Sequence, residues 1–379
     1  MKYLMMDWFG KFKCIGGACP ATCCGGWGIE VDEKTKEKYK ELKENGEEIF
    51  SDYCCDETGN IRLIDEKCPL LTEDGLCNIV NKYGEEMLCD TCKVYPRYGD
   101  IYGDINECTV KISCPVVAEY LLSGEEITFI YSEDDKEEQK ECDYVVYDGF
   151  SHGRSLIVEL MQEYRQYPLS GRLFCVLDMI YKLEQLYQKG QITLEKVEAL
   201  LMVFRDTQYL EGVCSQIGEL NQNLEIKRKS IIELLQVLFR KENILVEKNM
   251  DREIKIYLQD IQENPEIFYE DYQGFSGVCE SYQRVYENFF IYQYFIHLMP
   301  NHNKKLIWRM AVAEFCYIQL ATMITWKKEK KLNDIQYRDI IVAVARRMEH
   351  CDEITEERNQ LLIENGFKDI AHLWMCLLV

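Results

Sequence analysis

Residues 14–27 read CIGGACPATCCGGW: four cysteines within eleven residues, interleaved with glycine and one proline. No helix or strand period runs through this stretch. Four thiols that close together in a tight loop point to a soft metal centre, since thiolates select zinc or iron–sulfur centres over hard cations. The flanking glycines let the backbone wrap closely around such a centre. The pattern continues downstream as Cys68-Pro69-Leu70-Leu71 with Cys77, then Cys89-x2-Cys92 followed by Tyr95-Pro96-Arg97, then Cys108 and Cys114-Pro115.

Twelve of the 19 cysteines lie between Cys14 and Cys114, and the other seven (Cys142, Cys175, Cys214, Cys279, Cys316, Cys351, Cys376) stand singly. Single cysteines behave as small buried hydrophobes. The start of the chain, MKYLMMD, has no long apolar run, so no secretory signal is expected. A reducing, cytoplasmic location follows, where clustered cysteines bind metal or do chemistry rather than form disulfides. The longest uncharged apolar stretch, Phe315 to Trp326, is too short for a membrane span and reads as a buried helix.

The chain of 379 residues carries a net charge of −22, and residues 1–150 hold 33 Asp and Glu against 16 Lys and Arg. This excludes a nucleic-acid footprint. It suits either a solvated surface or one that attracts a lysine-bearing protein. The resulting expectation is a mainly α chain in three parts. Residues 1–122 form an irregular cysteine-rich metal-binding module, 123–150 an acidic connector, and 151–379 an α-helical domain.

The helical expectation rests on apolar residues recurring every three or four positions from Ser151 onward. Expected helices are Lys34–Asn45 and Ser113–Leu122 in the module. The helical half contributes stripes at 156–164, 173–187, 231–239, 254–261, 282–299, 306–327, 334–350, 355–365 and 368–378. A further helix is expected from an N-cap at Thr193 to Glu211. Ile127–Tyr131 is a candidate strand, ahead of the charge run Glu133–Glu141. The segment Tyr286–His297 is apolar on nearly every face and reads as a central buried helix. Glu287 and Asn288 stand near its start, where they either cap it or line a pocket.

No Gly-x-Gly-x-x-Gly or P-loop is present, so no dinucleotide or Rossmann-type fingerprint is expected. The five histidines, His152, His297, His302, His350 and His372, form no ligand pair. The irregular thiol spacing favours iron–sulfur over the paired hairpins of structural zinc. Cys19-x3-Cys23 begins the common radical S-adenosylmethionine pattern, but Gly26 stands where its third cysteine belongs.

The ordered set Cys14-x4-Cys19-x3-Cys23-Cys24-x-Gly26-Trp27, Cys68-Pro69-Leu70-Leu71, Gly75-Leu76-Cys77, Thr91-Cys92-x2-Tyr95-Pro96-Arg97, Ser113-Cys114-Pro115 and Tyr286-Glu287-Asn288-Phe289-Phe290 resembles the flagellin lysine-N-methylase family. The N-terminal part also resembles cysteine-rich zinc- or iron-chelating proteins. The resemblance implies methylation of flagellin lysine ε-amino groups, S-adenosylmethionine as methyl donor, and a [4Fe–4S] cluster, with zinc as the alternative. It implies ligands from among Cys14, Cys19, Cys23, Cys24, Cys68, Cys77, Cys92 and Cys114. Thiols outside a first cluster would serve a second metal or carry a methyl group. Cys54, Cys55, Cys89 and Cys108 are extra to the pattern. Arg97 is a candidate for neutralising cluster charge or holding a carboxylate, and Glu287 or a tyrosine for deprotonating the target lysine. The alternative is a non-enzymatic metal-chelating or redox-sensing protein with a helical docking domain.

Overall fold

The computed structural model describes residues 1–25, 28–50, 52–57, 59–65, 67–136, 138–240, 248–300, 306–349 and 352–379. Gly26, Trp27, Glu137, His302, His350 and Cys351, singled out above, lie outside the described residues.

The fold is mainly helical, with one small mixed sheet at its N-terminal side. Strands β1 (Lys2–Met6), β2 (Arg97–Tyr102), β3 (Ile105–Val110) and β4 (Phe129–Glu133) lie in the order β2-β3-β1-β4. The β1–β3 pairing is parallel and the other two are antiparallel. The expected 127–131 strand is therefore present as β4, shifted by two residues. The other three were hidden from periodicity by their shortness. The tight β2–β3 hairpin turns on Gly103, whose φ of +61° disfavours a side chain.

Helices α1 (Trp8–Lys11), α2 (Glu33–Glu44), α3 (Asn78–Tyr83), α4 (Asp90–Val94) and α5 (Pro115–Leu122) belong to the first third of the chain. The rest is α6 (Tyr144–Gln162), α7 (Leu169–Gln188), α8 (Leu194–Arg205), α9 (Thr207–Asn221), α10 (Leu224–Leu238), α11 (Lys248–Glu263), α12 (Pro265–Ser281), α13 (Gln283–His297), α14 (Arg309–Glu329), α15 (Asp334–Met348), α16 (Asp352–Leu362) and α17 (Ile370–Trp374). Thr193 caps α8 as expected. The single helix expected to Glu211 is two, because the Asp206 carboxylate takes the N–H groups of Gln208 and Tyr209 and starts α9 afresh. Helix α12 was not foreseen: its glycines and acidic residues interrupt the apolar stripe.

Two apolar cores result. A small one gathers Ile29, Val31, Tyr39, Phe50, Tyr53, Ile61, Leu70 and Ile79 with Cys68 and Cys89. The large one is continuous from Leu4, Met6 and Val110 of the sheet through α5 into the helices. The sheet is pinned to the helices by Glu107, buried in β3. It accepts hydrogen bonds from Arg154 and from the Tyr147 hydroxyl (2.7 Å), both on α6. Helix α13 is the central buried helix, with every residue from Val285 to Phe295 buried.

Helix α13 starts at Gln283, so Glu287 and Asn288 lie inside it and do not cap it. Glu287 is 2% exposed and accepts from Arg165 Nε (2.9 Å) and Arg172 Nη2 (2.8 Å). Asn288 donates to the Glu125 carbonyl at 2.6 Å. Arg172 also donates to the carbonyls of Leu160, Met161 and Tyr167, closing the end of α6 against α7 and α13. Removing the carboxylate leaves Arg172 charged in the interior, so Glu287→Ala is expected to cost about 3–5 kcal/mol of stability. A lower thermal or denaturant midpoint in circular dichroism checks this, and an unchanged midpoint contradicts it.

Candidate functional site

The small core is too slight to hold its loops alone, and isolated bridges stitch it together. Cys68 N–H donates to the Cys24 carbonyl at 2.7 Å, Gly25 bridges Lys67, and Leu71 bridges Cys77. At Gly17 the first cysteine loop passes so near the second, Cys68 to Cys77, that a Cβ would lie 2.9 Å from the Asp74 carbonyl oxygen. Asp32 caps α2 through Thr35 N–H (2.9 Å) and also accepts from Asp90 N–H (3.1 Å), the first residue of α4. One carboxylate thereby sets the position of Cys89, immediately before α4, relative to α2. Burial raises the Asp32 pKa, but these N–H donors outweigh it and leave the carboxyl below its usual range.

The thiols converge in two adjoining groups. Cys24, Cys68, Cys77, Cys89 and Cys92 lie near enough to disfavour one another's ionisation. Cys14, Cys19 and Cys114 form the second group, and Cys23 faces both. Cys23 and Cys24 share a hydrogen bond, which lowers Cys24 to about 6 and raises Cys23. Cys89 and Cys92 do the same, with Cys89 lowered to about 7 and Cys92 raised. Burial pushes Cys68 up to about 12. Burial also raises Cys77 and Cys114, while N–H groups of the helical turns that follow each of them pull the other way.

All eight thiols expected as ligands belong to this region, and Cys89 joins them. The Cys-x2-Cys spacing with Cys92 was the signal for it. Cys55 instead pairs its sulfur with the Tyr53 hydroxyl (3.1 Å), and Cys108 lies in β3 bonded to Asn106 Oδ1 (3.4 Å). Among the described residues, no three Cys, His, Asp or Glu side chains stand in metal-coordinating geometry.

Arg97 is exposed at the start of β2, its guanidinium 5.1 Å from the Phe12 ring centroid and 5.7 Å from that of Phe9. It therefore borders the first cysteine loop, two residues before Cys14. Glu287 lies in the helical clamp described above, both its oxygens held by guanidinium groups.

A second polar cluster escaped the sequence reading. Glu314 of α14 and Glu349, just after α15, meet beneath α13. Gln293 Nε2 donates to Glu314 Oε2 at 3.2 Å and to Glu349 Oε1 at 3.0 Å. The Tyr292 hydroxyl donates to Glu349 Oε2 at 3.1 Å and accepts from Ile112 N–H at 3.1 Å. Burial, then the neighbouring Glu349 carboxylate, raises the Glu314 pKa well above the carboxylate range. Burial raises Glu349 too, against the opposing charge of Lys111. From the second cysteine group, the Ala21 and Ser113 carbonyls accept from Arg346 of α15, at 2.7 and 3.2 Å, so this cluster and the thiol layer share a wall.

A carboxyl whose pKa is raised on folding holds a proton that the unfolded chain releases. Its contribution is present below the unfolded value, 4.5, and is lost as pH rises through the folded value. The stability contributed by this carboxyl should therefore fall as pH rises above 4.5, and Glu314→Gln should remove that part of the pH dependence. Denaturant midpoints measured across the range check this; parallel pH profiles for the two proteins contradict it.

Among the described residues, no helix is long and apolar enough to cross a membrane. No solved structure matches the chain. Two curated proteins named lysine-N-methylase, from Salmonella typhimurium and Salmonella choleraesuis, are each 22% identical to it over 91% of both chains. A flagellar biosynthetic protein FliU of Salmonella muenchen is 31% identical over 121 residues, 30% of this chain and 72% of its own length. The profile of the FliB lysine N-methylase C-terminal domain matches residues 154–376, from the arginine that pins the sheet to α6 to the buried C-terminal segment, and the chain belongs to that family.

Proposed function

We propose that this protein is a lysine N-methyltransferase that modifies lysine ε-amino groups of flagellin in the cytoplasm, with S-adenosylmethionine as methyl donor. The observation that carries this is the likeness to the lysine-N-methylases over 91% of both chains, too long to leave out either the thiol layer or the helical part. The flagellar name of the third relative supports the choice of protein substrate. The acidic N-terminal part, with 33 Asp and Glu against 16 Lys and Arg in residues 1–150, suits a lysine-bearing partner.

The donor set of the thiol layer fits a [4Fe–4S] cluster, with zinc as the alternative: soft sulfurs, two of them already lowered toward thiolate, and glycine-bearing loops between them. Cys24, Cys68, Cys77, Cys89 and Cys92 would hold one centre, and Cys14, Cys19, Cys23 and Cys114 a second. Bound there, a cluster would supply the folding free energy that so small a core lacks. The chain's own residues must do the rest, above all removing the proton from the lysine ammonium so that nitrogen can attack the methyl carbon.

Full-length protein purified without oxygen, incubated with flagellin and S-adenosylmethionine, is expected to add whole methyl groups to flagellin lysines by mass spectrometry. No addition from protein that retains its metal rejects the enzyme and leaves a chelating or redox-sensing role. Iron, sulfide and zinc measured on the same preparation decide the centre. Cys89→Ser is expected to lower the metal content, and Cys108→Ser to leave it unchanged. The opposite ranking contradicts this assignment of ligands.

A further inference from the structure

With both carboxyls ionised, the cluster around Glu314 and Glu349 is short of donors and short of positive charge. Glu314 is 3% exposed and Gln293 is fully buried. Glu314 Oε1 and Gln293 Oε1 are both buried with no hydrogen-bond partner among the described residues. A buried acceptor left without a donor is costly, and a buried carboxylate more so. Among the described residues, one charge opposes the two carboxylates, that of Lys111. Its ammonium rests over the Tyr98 ring, 4.3 Å from the centroid, and among the described residues forms no ion pair with either of them.

A lone proton on Glu314 removes one of the two negative charges and makes its oxygen a donor. A group that brings one positive charge and at least two N–H donors would satisfy both orphaned oxygens and, together with Lys111, balance the pair of carboxylates. A primary ammonium has that inventory. The surroundings suit a cation as well. Tyr292 stacks on Trp8 with ring centroids 6.0 Å apart, and Trp8 lies 6.4 Å from Tyr120. These rings run from the carboxylates to Tyr120, whose hydroxyl is at the surface.

We propose that Glu314, Glu349 and Gln293 form the receptor for the ε-ammonium of the substrate lysine, and that Glu314 takes its proton. The identity of the ammonium as a lysine side chain rests on the methyltransferase reading above. The arriving ammonium displaces the proton that Glu314 holds in the empty site; in the proton step an N–H bond of the ammonium then breaks and an O–H bond forms on Glu314 Oε1. The nitrogen keeps the electron pair it needs to attack the methyl carbon of the sulfonium donor. Glu287 cannot fill this place while Arg165 and Arg172 hold both its oxygens.

Calorimetric titration of the full chain with Nα-acetyl-lysine amide tests the receptor, with the norleucine counterpart as control. The lysine probe is expected to bind and the norleucine probe not to bind. Glu314→Gln and Glu349→Gln are each expected to weaken lysine binding about tenfold or more, the scale of a lost charge-assisted contact. Lys111→Met removes the resident cation and is expected to tighten binding several-fold, a gain that a merely structural lysine would not give. No lysine binding by wild type, equal binding by the Gln variants, or no gain from Lys111→Met overturns the receptor. Should a Gln variant fail to fold by circular dichroism, Lys111→Met carries the test. Methyl transfer to flagellin with an unchanged KM in both Gln variants removes the receptor and leaves the methyltransferase. Glutamate-dependent lysine binding without methyl transfer does the reverse.

Discussion

The hydroxyl of Tyr292 stands between the two halves of the molecule. It accepts from the backbone N–H of Ile112, in the turn between the sheet and α5, and donates to Glu349 at the end of α15. Tyr292 belongs to α13, the helix buried on all sides, so one phenol joins the cysteine-bearing layer, the central helix and a buried carboxylate. Buried polar groups must be paired, and each partner here is paired through the others. Displacing Ile112 would orphan its N–H, and displacing α15 would strip Glu349 of a donor. The cysteine layer is consequently held to the helices by a polar chain as well as by apolar contact.

That attachment matters because the cysteine layer is poor in core. Its apolar cluster is small, and a good part of it is cysteine. The loops keep their course through single bridges, through Asp32 serving two helices, and through Arg346 of α15 reaching the carbonyls of Ala21 and Ser113. The two thiol groups meet at Cys23. A layer built this way gains most of its rigidity from what it binds and from what it leans on. The helices supply the second, and a metal would supply the first.

Much of the helical half was legible because burial imposes a period that short loops do not. The stripes at 156–164 and 173–187 became α6 and α7, and the all-round apolar run at 286–297 became the centre of α13. The failures have physical causes. Asp206 competes for backbone N–H groups and splits one expected helix into two. Glycines and acids dilute the stripe of α12. Strands of five or six residues, one of them buried on both faces at the middle of the sheet, present no alternation to find. In the thiol layer the cysteine types and spacings did locate a common region, but not its division into two groups, which depends on loop crossings such as that of Gly17 over Asp74.

The contrast between Glu287 and Glu314 shows why a site built from helices is hard to read from sequence. Both are glutamates in apolar helices, and nothing local separates them. What separates them is the company that other helices bring. Arg165 and Arg172 come from the end of α6 and the start of α7 and neutralise Glu287 completely. Toward Glu314 the chain brings a second carboxylate, an amide that spends its nitrogen on both acids, and a lysine that stops at an aromatic ring. The first arrangement is complete and stabilises the packing. The second, when both acids are ionised, lacks a charge and two donors in the interior of the protein, a deficit that a protein stable only by a narrow margin has reason to keep where something else fills it.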